Sequence, residues 1–136
     1  MTAGARLQRL EACDVSVLSA GEVTAALRDV AVLRGTTDQL EAAIVRRIAA
    51  LHEAGEAAPA SDVLGRSGRT SRRAAERAER RAGLLGQTPT LNDALGRGLV
   101  GVEHADAVAS AAGRLDDEQR CVLFGRDREI VALAAS

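Results

Sequence analysis

Val23, Val30, Thr37, Ile44 and Leu51 recur every seven residues, with Ala26, Leu33 and Leu40 in the companion positions. The phase does not break across Arg34-Gly35-Thr36-Thr37. A sustained seven-residue period predicts one helix over about residues 20–54, about 50 Å long at ~1.5 Å per residue. The rival is a pair of helices split at Gly35, with Thr36 and Gln39 forming a second capping box. A break normally resets the phase, so one helix is preferred. Ser19-Ala20-Gly21-Glu22 supplies its start, since a Ser oxygen accepts a backbone N–H and a Glu three residues on reaches back. The segment Glu53 to Pro59 ends it. Glu41 and Arg47 interrupt the flanks of the stripe, which favours packing within the chain's own domain. A homodimer through this helix stays open.

The remaining elements are short and also helical. The chain has 136 residues with two Pro, and its composition is rich in Ala, Leu, Arg and Glu, which favours helix. This length suits one domain that buries roughly two-thirds of its unfolded surface. The expected fold is all-α: the long helix packed with a bundle of shorter ones. Residues 1–59 form a long-helix region, 60–113 a helix-turn-helix-like region and 114–136 C-terminal helices. A short helix over 3–12 carries Leu7 and Leu10, and Asp14 to Ser19 break it. Ser61 can cap a short helix ending near Gly65, before a turn over 65–70. Ser71 can cap a helix over 71–85, with Ala74, Ala78, Ala82 and Leu85 on one face. Pro89 opens a helix to about 97 with Leu91, Ala94 and Leu95 apolar, and Gly98 fits a left-handed stop. A helix over about 102–113 turns Val102, Ala105, Val108, Ala109 and Ala112 inward. Asp116, Asp117 and Glu118 suit the positive end of the next helix, and 126–135 is helical with Ile130, Val131 and Ala134 on one side. No stop signal precedes Ser136, so the chain is read as the N-terminal part of a longer architecture.

Charge is the feature that bears on function. All 18 cationic residues are Arg, and the net charge is −1. Residues 66–81 hold seven Arg and two Glu, a local +5 against −6 elsewhere. Such asymmetry says more about partners than the total does. In a helix-turn-helix, the second helix enters the major groove with its N-terminal residues toward the bases. Arg69, Ser71, Arg72 and Arg73 would occupy that edge, with Arg77, Arg80 and Arg81 approaching phosphates. The opposing reading is a solvated amphipathic helix whose arginines pair with acids from the rest of the chain. With one Phe and no Tyr or Trp, there is no aromatic platform for single strands.

Chemistry is sparse. Cys13 and Cys121 are far apart and outside any C-x-x-C pair, and His52 and His104 add no clustered ligands, so two reduced thiols and no metal are expected. Glu103, His104 and Asp106 are near neighbours on one helix and point in different directions. Phosphate-loop, dinucleotide and zinc-protease motifs are absent, so no cofactor, small-molecule substrate or catalytic residue is assigned. The N-terminus lacks an apolar signal region and no apolar run approaches ~18 residues, so no membrane association and a cytoplasmic location are expected.

Three segments carry a family resemblance: Asp14-Val15…Leu18-Ser19…Glu22 with the Glu53-Ala54-Gly55 exit; Ser71-Arg72-Arg73-Ala74-Ala75…Arg77 leading to Gly86-Gln87-Thr88-Pro89; and Ala94-Leu95-Gly96-Arg97-Gly98-Leu99-Val100-Gly101-Val102-Glu103-His104-Ala105. Together they resemble the domain of unknown function that precedes HNH endonuclease domains in actinobacterial repeat-family proteins. Residues 60–105 also resemble the helix-turn-helix core of the ParB partition proteins at motif level, with Leu64-Gly65-Arg66-Ser67 at the turn. The first resemblance implies a C-terminal metal-dependent nuclease in full-length members. No His follows residue 104, so its nuclease residues find no counterpart here. The expected function is therefore a non-catalytic module that binds duplex DNA and delivers a nuclease when one is attached. The alternative is a protein-interaction or self-association module built on the long helix.

Overall fold

The computed structural model describes residues 1–67 and 70–136, and every regular element among them is helical. The order is α1 (Ala3–Ala12), a 3₁₀ turn at Val15–Val17, α2 (Ala20–Glu53), α3 (Ala60–Ser67), α4 (Arg72–Leu85), α5 (Pro89–Gly96), α6 (Val102–Ala112), α7 (Asp117–Gly125) and α8 (Asp127–Ala135). The all-α expectation holds. The long helix is a single element of 34 residues. Its capping box is reciprocal: the Glu22 N–H donates to Ser19 Oγ at 3.2 Å, and the Ser19 N–H donates to Glu22 Oε1 at 3.1 Å.

Gly35 does not split α2 because its role is clearance. A Cβ there would lie 1.9 Å from the Leu95 carbonyl oxygen and 3.2 Å from the Gly98 nitrogen. The end of α5 crosses α2 at this point. Gly98 completes the crossing at φ +74°, the left-handed stop expected after α5, and a Cβ on it would meet the Val32 backbone at 2.9 Å. Thr36 and Gln39, the rival second capping box, reach across the same junction instead. Thr36 Oγ1 lies 3.3 Å from the Gly96 carbonyl oxygen, and Gln39 Nε2 donates to the Asn92 carbonyl at 3.1 Å.

The heptad stripe does not pack within the chain as expected. Val23, Thr37, Leu40 and Ile44 are exposed, and Ala26, Val30, Leu33 and Leu51 are only partly covered. The helix buries its other side, through Gly35, Ala42 and Val45. The reason is size: glycine and alanine let α4 and α5 approach the α2 backbone closely, as branched side chains would not. Arg46 crosses to α4 on this side and donates to the Ala82 carbonyl at 3.1 Å.

Val45, Leu85, Leu91, Leu95 and Ala105 centre the core, where α2, α4, α5 and α6 meet. Ile48, Val108, Phe124 and Val131 close its margins. The α5 start has no side-chain cap of its own. Its first N–H groups are met from far along the chain: the Thr90 and Leu91 N–H groups donate to the buried Asp127 carboxylate at 2.7 and 2.9 Å. The first residue of α8 thus caps α5.

α3 differs from its sequence reading. The helix runs through Gly65 to Ser67 and begins at Ala60, because the Pro59 carbonyl accepts from the Asp62 and Val63 N–H groups at 3.0 and 3.2 Å. Ser61 is therefore inside the helix rather than its cap, residues 65–67 of the expected 65–70 turn are helical, and residues 68–69 of it lie outside the described residues. Both cysteines are free, as expected from their spacing. No helix among the described residues is long and apolar enough to cross a membrane.

α1 is held to α2 by charge. Arg6 Nη1 donates to Asp29 Oδ1 at 2.9 Å, and Arg9 donates through two guanidinium nitrogens to Asp29 Oδ2. The Arg9 hydrogen bonds, with those of Arg6, hold the Asp29 carboxyl below the usual carboxylate range. A lowered value means that the clamp is intact above the ordinary carboxylate pKa. It is released only as pH falls through that range and then through the lowered one. Acid titration followed by NMR should therefore show α1 amides leaving their folded positions below pH ~4, ahead of α4 and α5. Asp29→Asn should reproduce the release at neutral pH. An α1 that stays docked in the variant would show that apolar contacts alone hold it.

Candidate nucleic-acid interface

The basic segment becomes α4 and its approach. Of the residues assigned to it, Arg69 lies outside the described residues. Ser71 is the N-cap of α4, its Oγ accepting the Ala74 N–H at 3.2 Å. That bond fixes where the helix begins, and it leaves the hydroxyl proton available to an acceptor. Arg72 is 93% exposed and pairs with Glu76 at 3.3 Å, one turn along. A pair this open is worth little and exchanges readily for another anion.

Arg73, Arg77 and Arg80 are exposed, and no ion pair or hydrogen bond holds their guanidiniums among the described residues. At positions i, i+4 and i+7 they form one row along the outside of α4. The row runs about 10 Å at ~1.5 Å per residue.

Arg81 does not belong to this row. Its side chain is only 13% exposed. Nε and Nη2 each donate to a different oxygen of Asp106 on α6, both at 2.7 Å, and Nη1 stands 3.7 Å from Glu41 on α2. Asp106 raises the pKa of this guanidinium further above its ordinary value. Burial pushes the nearby Asp38 carboxyl up, while Arg81 pulls it down. Arg81 therefore joins α2, α4 and α6. The expectation that it reaches a phosphate is replaced by a strut holding the row's backbone in place.

Beside the row lies a cleft of about 390 Å³ between α4 and the C-terminal end of α6, lined by Arg77, Arg80, Asp106, Ser110 and Arg114 among others. Both Asp106 oxygens are already engaged by Arg81, so the cleft presents three guanidiniums and a hydroxyl. A second cleft continues past Arg80 toward Arg120 and Phe124 of α7. Arg114 and Arg120 were not among the residues picked from sequence. Arg114 follows Gly113 at a helix end, where a cation suits the macrodipole by itself, and nothing local shows that the end faces α4.

Glu103, His104 and Asp106 form no common site, although Glu103 Oε1 stands 3.9 Å from His104 Nδ1. The Gly101 N–H donates to His104 Nδ1 at 3.1 Å, which puts the neutral ring's proton on Nε2. Asp106 is bound to Arg81, and Glu103 is exposed. No group of three or more His, Cys, Asp or Glu among the described residues is placed to hold a metal.

The segment Gly98 to Ala105, the most distinctive part of the family resemblance, has a structural account at nearly every position. Gly98 needs its positive φ, Val100 is buried, Gly101 and His104 start α6, and Ala105 is completely buried. No protein-family model matches the chain, and no curated protein or solved structure matches it either.

Proposed function

We propose that this chain is a non-catalytic module that binds duplex DNA, and that it positions a nuclease where one is joined to it. The observation that carries the reading is the row Arg73, Arg77 and Arg80, exposed and unpaired among the described residues, with Arg114 facing it across a cleft. The row's length matches about three phosphates of one strand at ~3.4 Å of axial rise each. Ser71, Arg72 and Arg73 sit at the leading end of α4, where a groove-entering helix meets base edges. Arg77, Arg80 and Arg114 act on the backbone. The nuclease association rests on the resemblance to the domain that precedes HNH endonucleases. The helix-turn-helix comparison rests on α3 packing against α4.

Fluorescence anisotropy with a short duplex over a salt series tests the interface. Changing Arg77, Arg80 and Arg114 together to Ala should weaken binding at least about tenfold and reduce the log–log salt slope by about three units. A polyanion such as heparin should compete. Duplex affinity and slope that match the parent protein would remove α4 as the contact surface.

A further inference from the structure

The outward side of α2 points to a second copy of this chain. We propose that the protein forms an antiparallel homodimer through the α2 heptad seam, centred between Thr37 and Leu40.

The first observation is exposure in register. Val23 is 41% exposed, Leu27 64%, Leu40 59% and Ile44 59%. Leu40 and Ile44 lie on the side of α2 opposite Gly35 and Ala42, and Val23 and Leu27 are exposed nearer its N-terminal end. A helix that only covers its own core follows a period near 3.6. A seven-residue repeat carried over four successive intervals, from Val23 to Leu51, keeps its stripe straight only against another supercoiling helix. Here the repeat runs along a side that the domain covers only in part, while the buried side is built on Gly35, Ala42 and Val45. The two sides of α2 thus answer to different partners.

The second observation is charge, and it chooses both the partner and its direction. Arg34 and Glu41 are exposed and seven residues apart on one edge of the seam; Glu41 also stands 3.7 Å from Arg81 but keeps 47% of its side chain exposed. When two copies run antiparallel, with Leu33 facing the partner's Ile44 and Thr37 facing the partner's Leu40, Arg34 lies beside the partner's Glu41. The two-fold axis makes the reciprocal pair. Leu27 then lies beside the partner's Ile48, which is partly buried against its own core. Arg47 faces the partner's Val30, where its stem can lie over the apolar side chain while its charge reaches water.

A parallel pair loses these contacts. It stacks Arg47 on the partner's Arg47 within the seam. It also leaves Arg34 only Asp29 as a flanking acid, and Asp29 is already buried between Arg6 and Arg9. Arg34 and Glu41 are complementary to an identical helix running the other way.

The test is sedimentation equilibrium on the full chain, with circular dichroism melts confirming that each variant is folded. The parent protein should be a dimer. Ile44→Glu and Leu40→Glu, at exposed positions that carry no core contact, should each raise the dissociation constant about tenfold or more. Arg34→Glu alone should weaken the dimer, and adding Glu41→Arg should restore it, with the melts checking the Arg81 contact that Glu41 also serves. A parent protein that stays monomeric at its highest soluble concentration overturns the proposal and leaves the seam to a different helix. A dimer indifferent to Ile44→Glu overturns the surface, and a charge exchange without rescue overturns the antiparallel register. None of these residues belongs to the α4 row, so loss of DNA binding in the arginine variants leaves this outcome unaffected.

Discussion

Gly35→Ala should lower the unfolding free energy by about 2 kcal/mol or more, although alanine is the better helix former by about 1 kcal/mol. The added methyl would sit 1.9 Å from the Leu95 carbonyl oxygen and 3.1 Å from its carbon. Both are backbone atoms, so no side chain can swing aside. Either α5 moves off α2 or α2 bends, and each response opens the contact among Val45, Leu91 and Leu95. Gly83 is the control. It also lies inside a helix, but a Cβ there meets nothing within 4 Å. Gly83→Ala should stabilise by about 0.5–1 kcal/mol. Urea titrations of the two variants should move in opposite directions. A Gly35→Ala protein as stable as the parent would mean that the α2–α5 crossing is looser than described.

Arg81→Ala should cost about 2–3 kcal/mol, toward the lower side of what breaking a buried ion pair costs because Asp106 retains some contact with water. Removing the guanidinium leaves Asp106, Glu41 and Asp38 facing one another without a cation between them. Arg81→Lys keeps the charge but not the planar fork that meets both Asp106 oxygens, so an intermediate loss is expected. Asp106→Ala should behave like Arg81→Ala, and the double substitution should cost less than their sum. The contrast with Arg77→Ala is the informative part. That variant should keep its stability and lose duplex affinity, while folded Arg81→Ala should keep most of its affinity. Equal stability losses at both positions would contradict the division of α4 into a strut and a row.

That division shows where the sequence was legible. Local rules read the boundaries of α2 well, because Ser19 and Glu22 complete a device within four residues and the period runs unbroken past Gly35. They placed Leu91, Ala94 and Leu95 in the core and gave Gly98 its left-handed role. They could not separate Arg81 from Arg77, since both lie on one helical stripe. The difference is Asp106, which is 25 positions away and brought near by the α4–α6 packing. The seven-residue stripe was visible, but the side of α2 that the domain would use was not. Periodicity finds the apolar face, whereas close approach of backbones selects the small one. Arg114 was overlooked for a related reason: a charge at a helix end explains itself locally, and only the neighbouring helix gives it a second purpose.

Asp127 has a consequence for how the chain is made. The α5 amides emerge from the ribosome well before the carboxylate that satisfies them, which follows 36 and 37 positions later. Until α8 has been synthesised, the middle of the protein can collapse around Leu91 and Leu95, but the first N–H groups of α5 are left to water. The carboxylate at the start of α8 is thus the group that completes the first turn of α5.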